Sequence, residues 1–306
     1  MPQIDRSAII RGPAEVQFGS QVFYSKGNVS VSWETSVFEK VSDSFGVVGR
    51  AKTDAQITVS FTPVGELEAL AVLYPYGQTA LGSSIFGSTD SQLIIKGLNN
   101  QLTVENAAVT QMPSLTLGAG TTAFGEVQFT GLVKNNAEPD TAASYYAYTE
   151  SSNNYSTEFN PALIKSSEYQ AQYMGYTHSS TDGFTVDFDV NLAPVTVDSH
   201  GTIDMRLVDV GWTANWSPIQ TGANTLPKFI LQYLSTTAPG SDLYTTAITI
   251  AGTNHGVTFT ADKATLVSSD FVWGSDANLN GPITVQGTRD ISSGALDALF
   301  AISATV

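Results

Sequence analysis

Asp187 and Asp189 stand two residues apart in the run Phe184-Thr185-Val186-Asp187-Phe188-Asp189. Alternate residues of a strand share a face, so both carboxylates would project from one side. Paired carboxylates can hydrolyse a glycosidic bond, one protonating the leaving oxygen and the other attacking or activating water. Nothing in the flanking sequence marks either aspartate as the acid. Asp276-Ala277-Asn278-Leu279-Asn280-Gly281 imitates the first half of a calcium-binding loop, but position twelve, where a bidentate Glu belongs, is Gly287. Asx turns between strands are the simpler expectation there. His178, His200 and His255 stand apart from one another, outside any metal or triad pattern, which points to surface or loop roles. Gly46-Val47-Val48-Gly49 reads as a turn, because no Lys-Ser/Thr and helix follow to cradle a phosphate. Asn28-Val29-Ser30 and Asn154-Tyr155-Ser156 match the glycosylation triplet, a pattern that recurs by chance. No catalytic, cofactor-binding or metal residue is assigned, and the expectation is a protein that is not an enzyme and needs no cofactor.

Composition narrows the remaining classes. The chain has 306 residues, with 13 Lys+Arg against 28 Asp+Glu and a formal net charge of −15. Wrapping nucleic acid requires clustered Lys and Arg, so that role is excluded. The absence of cysteine removes disulfides, thiolate metal sites and Cys nucleophiles. The longest apolar run, Leu67 to Tyr76, is interrupted by Glu68 and Pro75 and falls short of the ~18 residues a membrane helix needs. Met1-Pro2-Gln3-Ile4-Asp5-Arg6 lacks the basic-then-apolar layout of a secretion signal. With 42% hydrophobic residues, a sizeable core can be buried.

The elements that position these residues recur. At an offset of about 155 residues, Val29 to Glu34 lines up with Phe184 to Asp189, Gly46 with Gly201, Asp54 with Asp209, and Phe61-Thr62-Pro63 with Trp216-Ser217-Pro218. Gly97 then meets Gly252. After one residue of slippage Leu117-Gly118 meets Trp273-Gly274, and Gly125 to Gly131 meets Gly281 to Gly287. One offset held across several Gly and Pro landmarks indicates a tandem duplication. Residues 29–36, 56–61, 102–105 and 126–130 alternate apolar and polar as half-buried strands do, and so do 184–191, 211–216, 257–260 and 283–286. After Pro63 and Pro218 the period turns helical, with Leu67, Leu70, Ala71 and Tyr74 in one half and Leu226, Phe229, Ile230, Tyr233 and Leu234 in the other. The predicted fold is mainly β, two related β-barrel or sandwich domains with one short helix each. The domains span residues 1–140 and 168–306, joined by a connector over 141–167 whose tyrosines suggest packing on a surface.

Between the first two strands of each half lie about twenty residues, 37–55 and 192–210, far more than the ~2–5 of an ordinary hairpin loop. Phe38, Val41, Phe45, Val47 and Val48 make the first excursion too apolar for a free loop. One reading is a hairpin tip folded over its own core. The other is a projecting arm that buries these side chains against another subunit. The candidate arm residues are Phe38, Val41, Phe45, Val47, Arg50, Lys52, Val197, His200 and Arg206.

Ile9-Ile10-Arg11-Gly12-Pro13-Ala14-Glu15-Val16 followed by Val22-Phe23-Tyr24-Ser25-Lys26-Gly27-Asn28-Val29 resembles the opening of tailed-bacteriophage tail tube proteins. Ser44-Phe45-Gly46, Gly49-Arg50 and Ala55 to Pro63 continue the resemblance, which is clearest over residues 9–77 and weaker in the second half. The order of features carries it, not a diagnostic motif. In that family each tube domain is a β barrel with a short helix, six domains form a ring, strands join across subunits into an inner barrel, and the long loop stacks rings. Most members carry one such domain per chain. Two here would imply a trimeric, pseudo-hexameric ring.

The charge pattern is consistent with a tube. If Val29, Val31, Trp33, Ile57, Val59, Phe61, Val127 and Phe129 pack inward, the opposite faces carry Ser, Thr, Gln and acids, with no Lys or Arg. Glu34, Glu105, Glu126, Asp187 and Asp189 are the candidate lumen-facing acids. Such a lining would let DNA slide without sticking, although a hydrophilic outer face would look the same. Four strands from each of six domains, at ~4.8 Å spacing and ~40° tilt, would enclose a bore of roughly 40 Å. The resemblance implies a virion protein of the phage tail, assembled in the host cytoplasm. Its partners would be its own copies, tape-measure and tail terminator or tip proteins, and DNA in transit, with no membrane span. The alternatives are a β-rich virion binding module, such as a capsid decoration or receptor-binding protein, and a polysaccharide-active enzyme built on Asp187 and Asp189.

Overall fold

The computed structural model describes residues 14–64, 70–118, 121–135, 137, 142–150, 169–198, 200–219, 245–252, 256–271, 280–287, 289 and 299–305. The predicted second helix, most of the connector, His255, Asn154-Tyr155-Ser156 and the Asp276 to Leu279 stretch lie outside these residues. The described chain is mainly β. The first half contains β1 (Glu15–Phe18), β2 (Gln21–Ser25), β3 (Ser30–Ser42), β4 (Gly46–Phe61), β5 (Pro63–Val64), β6 (Leu93–Lys96), β7 (Asn100–Val104), β8 (Asn106–Gln111), β9 (Leu115–Gly118), β10 (Thr121–Phe124), β11 (Val127–Leu132) and β12 (Tyr146–Glu150), with a one-turn helix α1 (Leu70–Leu73) and a 3-10 turn at Ala142–Ser144. The second contains β13 (Tyr169–Tyr173), β14 (Tyr176–Val197), β15 (Gly201–Ile219), β16 (Thr245–Gly252), β17 (Gly256–Phe271), β18 (Asn280–Gly287) and β19 (Ala301–Thr305).

The repeat seen in the sequence recurs in the strand registers. Ser30 pairs with Ser60, and Thr185 pairs with Asn215; Trp33 pairs with Ile57, and Phe188 with Trp212. The β3–β4 and β14–β15 ribbons share two interruptions at matching places, after Ser36 and Asn191 and after Lys40 and Val195, and β14–β15 has a third between Ser180 and Phe184. A bulge adds a residue to one strand and re-aims the residues beyond it, so coinciding bulges are a stronger sign of common design than shared alternation. The outer layers correspond as well. Glu15–Tyr24 matches Gln170–Ser179, Glu15–Lys96 matches Gln170–Ala251, and Tyr24–Val64 matches Ser179–Ile219. Gly131 and Gly287 explain one shared glycine. A Cβ on Gly131 would lie 2.1 Å from the Val104 side chain, and one on Gly287 would lie 2.1 Å from the Trp212 indole.

In the second half the strands close into a barrel. β14 pairs with β13, β13 with β16, β16 with β17, β17 with β18, β18 with β15, and β15 returns to β14. Closure leaves no edge inside that circuit. The first half has the same plan but breaks where β2 gives way to β3 and where β7 gives way to β8, so two sheets face each other, β12-β7-β6-β1-β2-β5 and β3-β4-β11-β8. Phe18 and Phe23 reach across that sandwich to Phe129 and Phe61, with ring centroids 5.1 and 6.1 Å apart. Phe184 meets Trp216 and Trp212 meets Phe259 in the barrel, at 5.8 and 4.9 Å. Ile57, Val59, Phe61, Val127 and Phe129 are buried as expected, but Val31 and Trp33 are each more than 40% exposed, because β3 is an open edge. Tyr146 to Glu150, read from the sequence as connector, is the edge strand beside β7.

His178 departs from the surface role predicted for it. It is buried on β14 with its ring edge-on to Trp216, in the register position that Phe23 occupies in the first half.

Candidate functional site

The first half lends several features to the second. β8 and β9 are consecutive stretches of one run of chain. The first pairs with β11 in its own half, whereas the second pairs with the outer edge of β14, matching Leu115 to Val186 and Leu117 to Phe184. One strand is thus handed from one half to the other, and the inner sheets of the two halves meet there. The consequence is visible in burial: Val186 is 0% exposed under β9, while its counterpart on β3, Val31, is 44% exposed. Covering an apolar side chain of this size is worth roughly 1–2 kcal/mol.

The α1 turn and the chain after it strengthen the same junction. Tyr74 packs on Phe188 with centroids 4.9 Å apart, and Leu299 N–H donates to the Gly77 carbonyl at 2.8 Å. Residues 82–85 then run along β15: Gly82 N–H donates to the Leu207 carbonyl, Leu207 N–H to Ser83, and Ile85 N–H to Met205. Ser84 Oγ donates to Asp204 Oδ1 at 2.6 Å.

Both long excursions are β ribbons, not loops. The first arm, the outer parts of β3 and β4, turns at Asp43-Ser44-Phe45 and is uncovered along its length. Phe38, Val41, Phe45 and Val47 are exposed, Phe45 by 82%. The reading of a tip folded over its own core does not hold for this arm. Glu39 and Arg50 face each other across the ribbon and form a 2.8 Å ion pair in solvent. Lys52 Nζ sits 4.7 Å above the Tyr145 ring. Burial, together with the charge of Asp54, pushes the Tyr145 hydroxyl above its ordinary range.

The second arm is seated on the chain itself. Thr202 at its tip is buried, donating its backbone N–H to Asp54 Oδ1 at 3.0 Å and its hydroxyl to Asp54 Oδ2 at 2.8 Å. Burial pushes the Asp54 carboxyl up, but the Thr202 backbone and hydroxyl, Gln56 and the Ala55 N–H outweigh it and hold the carboxyl below its ordinary value. Leu207 is wholly buried beneath residues 82–85. Val197 and Arg206 remain exposed, and His200 N–H closes the tip turn on the Val197 carbonyl. The arm residues named from the sequence therefore lie on two ribbons in different environments, the first exposed to solvent and the second docked at its tip on Asp54.

The five acids do not form a single group. Glu34 is exposed on β3 opposite Gln56, and Glu126 is exposed just before β11. Asp187 and Asp189 share the corresponding face of β14 and border an open depression of about 280 Å³ with Gly211, Thr213 and Gln286. Glu105 stands off this surface, in the corner between β7 and β8, accepting from Gln92 Nε2 at 2.8 Å. Among the described residues no cluster of three or more His, Asp or Glu is arranged to hold a metal, and no helix is long and apolar enough to cross a membrane.

Sequence reading missed Asp54, Thr202 and the 82–85 segment as functional positions. Asp54 and Asp209 stood out only as aligned landmarks; both turn out to hold the next backbone N–H after a bulge, at 2.8 and 2.9 Å. No family model matches this chain, and no curated protein is significantly similar to it.

Proposed function

We propose that this chain is a structural protein that assembles head to tail into three-chain rings, and that the rings stack into the tail tube of a tailed bacteriophage. The carrying observation is the junction within the chain. The first half supplies β9, α1 and residues 82–85 to the second. The surface that receives them on the second half has an uncovered twin on the first: the edge of β3 and the first arm. A surface whose copy is already occupied inside the chain invites the same contact from a second molecule. Such a contact is heterologous, so it propagates until it closes or becomes a filament. Two repeats per chain and six repeats per turn give three chains.

The neutral and acidic face of β3-β4-β11-β8 and its counterpart would line the bore, with Glu34, Glu126, Asp187 and Asp189 repelling phosphate as DNA passes. In this reading Asp187 and Asp189 catalyse nothing. The free apolar side chains of the first arm would reach the adjacent ring. Electron microscopy of concentrated protein, or of the particle that contains it, is expected to show stacked annuli with threefold symmetry and a bore near 40 Å. Monomers at every concentration and salt, with no tube in the particle, would overturn the reading.

A further inference from the structure

The contact between the two halves identifies the residues of a second contact, between copies. Within the chain, the second arm's tip turn rests on the first arm's bulge: Gly201 lies so close that a Cβ there would sit 2.6 Å from the Thr53 carbonyl oxygen, and Thr202 is clamped by Asp54. Shifting each partner by one repeat converts Gly201 and Thr202 into Gly46 and Val47, and Thr53 and Asp54 into Val208 and Asp209.

These four residues are built for the same contact but lack it in a single chain. Gly46 and Gly201 have the same backbone φ of 71°, and Phe45 N–H donates to the Ser42 carbonyl as His200 N–H does to Val197. Gly201 has Thr53 and Asp54 against it, whereas the space where a Gly46 Cβ would sit is open to 4 Å. Val41–Val47 is the register twin of Thr196–Thr202, which turns the Val47 N–H the way Thr202 turns the N–H it gives to Asp54. Asp209 uses Oδ1 on the Val210 N–H, as Asp54 uses Oδ1 on Ala55, and is exposed. Val47 and Val208 are each almost half exposed.

We infer that Asp209 of one copy clamps the Gly46-Val47 tip turn of the next copy's first arm, accepting the Val47 backbone N–H. This rests on the head-to-tail reading above and adds the residues that lock the seam. The copy-to-copy clamp differs from its template in one respect. Val47 has no hydroxyl, so the second hydrogen bond that Thr202 gives to Asp54 is missing. The seam between chains is therefore the weaker of the two kinds. Val47→Thr restores the hydroxyl and is expected to lower the concentration for half-assembly about tenfold, as one added bond to a carboxylate would.

The lack of native cysteine makes a direct test clean. Protein carrying Val47→Cys is mixed with protein carrying Asp209→Cys under mild oxidation. Asp54→Cys with Thr202→Cys serves as the intrachain control, and Phe38→Cys with Asp209→Cys as a mixed control from elsewhere on the same arm. The Val47/Asp209 mixture is expected to give a disulfide-linked dimer, the intrachain pair to close without change of mass, and the Phe38 mixture to stay unlinked. A mixture that forms rings by microscopy without cross-linking overturns the clamp and leaves the tube reading intact. Cross-linked chains that grow open, and never close at three, support the clamp and remove the ring.

Discussion

At the scale of single residues, His178 shows how much an aligned repeat can reveal. Taken alone, a lone histidine in a polar run reads as a surface group; aligned with its twin Phe23, it occupies a core position. Phe23 meets Phe61 as His178 meets Trp216, at 6.1 and 5.7 Å. Burial pushes the His178 imidazole down to about 4. In the unfolded chain it titrates near ~6.5. Between those values the unfolded state binds the extra proton, so the contribution is complete above about 6.5, declines as pH falls, and levels off near 4 after a loss of roughly 3 kcal/mol. Denaturant midpoints measured from pH 7 to 4.5 should fall accordingly, and His178→Phe, the residue its twin already uses, should remove that part of the slope. A slope of unchanged size in the variant would mean that His178 is not its source. Asp54 acts in a lower window. Its depressed carboxyl supports the docked arm above the ordinary aspartate range and loses that support only as pH falls below it.

At the scale of elements, strand periodicity was readable because each inner strand buries one face, and Ile57, Val59 and Phe61 alternate accordingly. What could not be read is which of two similar ribbons is covered. Nothing local to 201–207 announces that Asp54 and residues 82–85, more than a hundred positions earlier, will receive it; periodicity likewise predicts burial of Val31 and Trp33 on β3, yet among the described residues no strand pairs with its outer edge. Short-range pattern reports the face a strand needs to bury, while long-range pairing decides whether it is buried. The free arm yields a clean separation of roles. Phe38→Ser combined with Phe45→Ser removes two exposed rings and leaves Gly46 and Val47 in place. Folding stability should change by no more than about 0.5 kcal/mol. If the proposed tube forms, single rings should persist while long tubes become rare in negative-stain images, and tubes of normal length would show that these side chains do not join one ring to the next.

At the scale of the whole molecule, the repeat is legible from glycine and proline landmarks and recurs in the strand registers, but closure is not legible. The second half closes because β14 and β17 run unbroken through the corners, whereas the first half interrupts the same course at 26–29 and at Glu105; both courses have strand-like sequence, and backbone continuity separates them. Net charge also acts at this scale. In the proposed ring three chains at −15 would bring together about −45, so repulsion would oppose assembly and salt should relieve it, since the screening length contracts from about 30 Å at 10 mM to about 8 Å at physiological strength. Light scattering should therefore register assembly at lower protein concentration as salt rises over that range; the reverse trend would mean a seam held mainly by ion pairs. The strand handed from β8 to β9 has a further consequence for the timing of assembly. Every junction inside a chain forms as the chain folds, with its partner tethered at an effective concentration that dilution cannot change. A three-chain ring would thus begin with half its seams already made, and only the other half would depend on how many molecules are present.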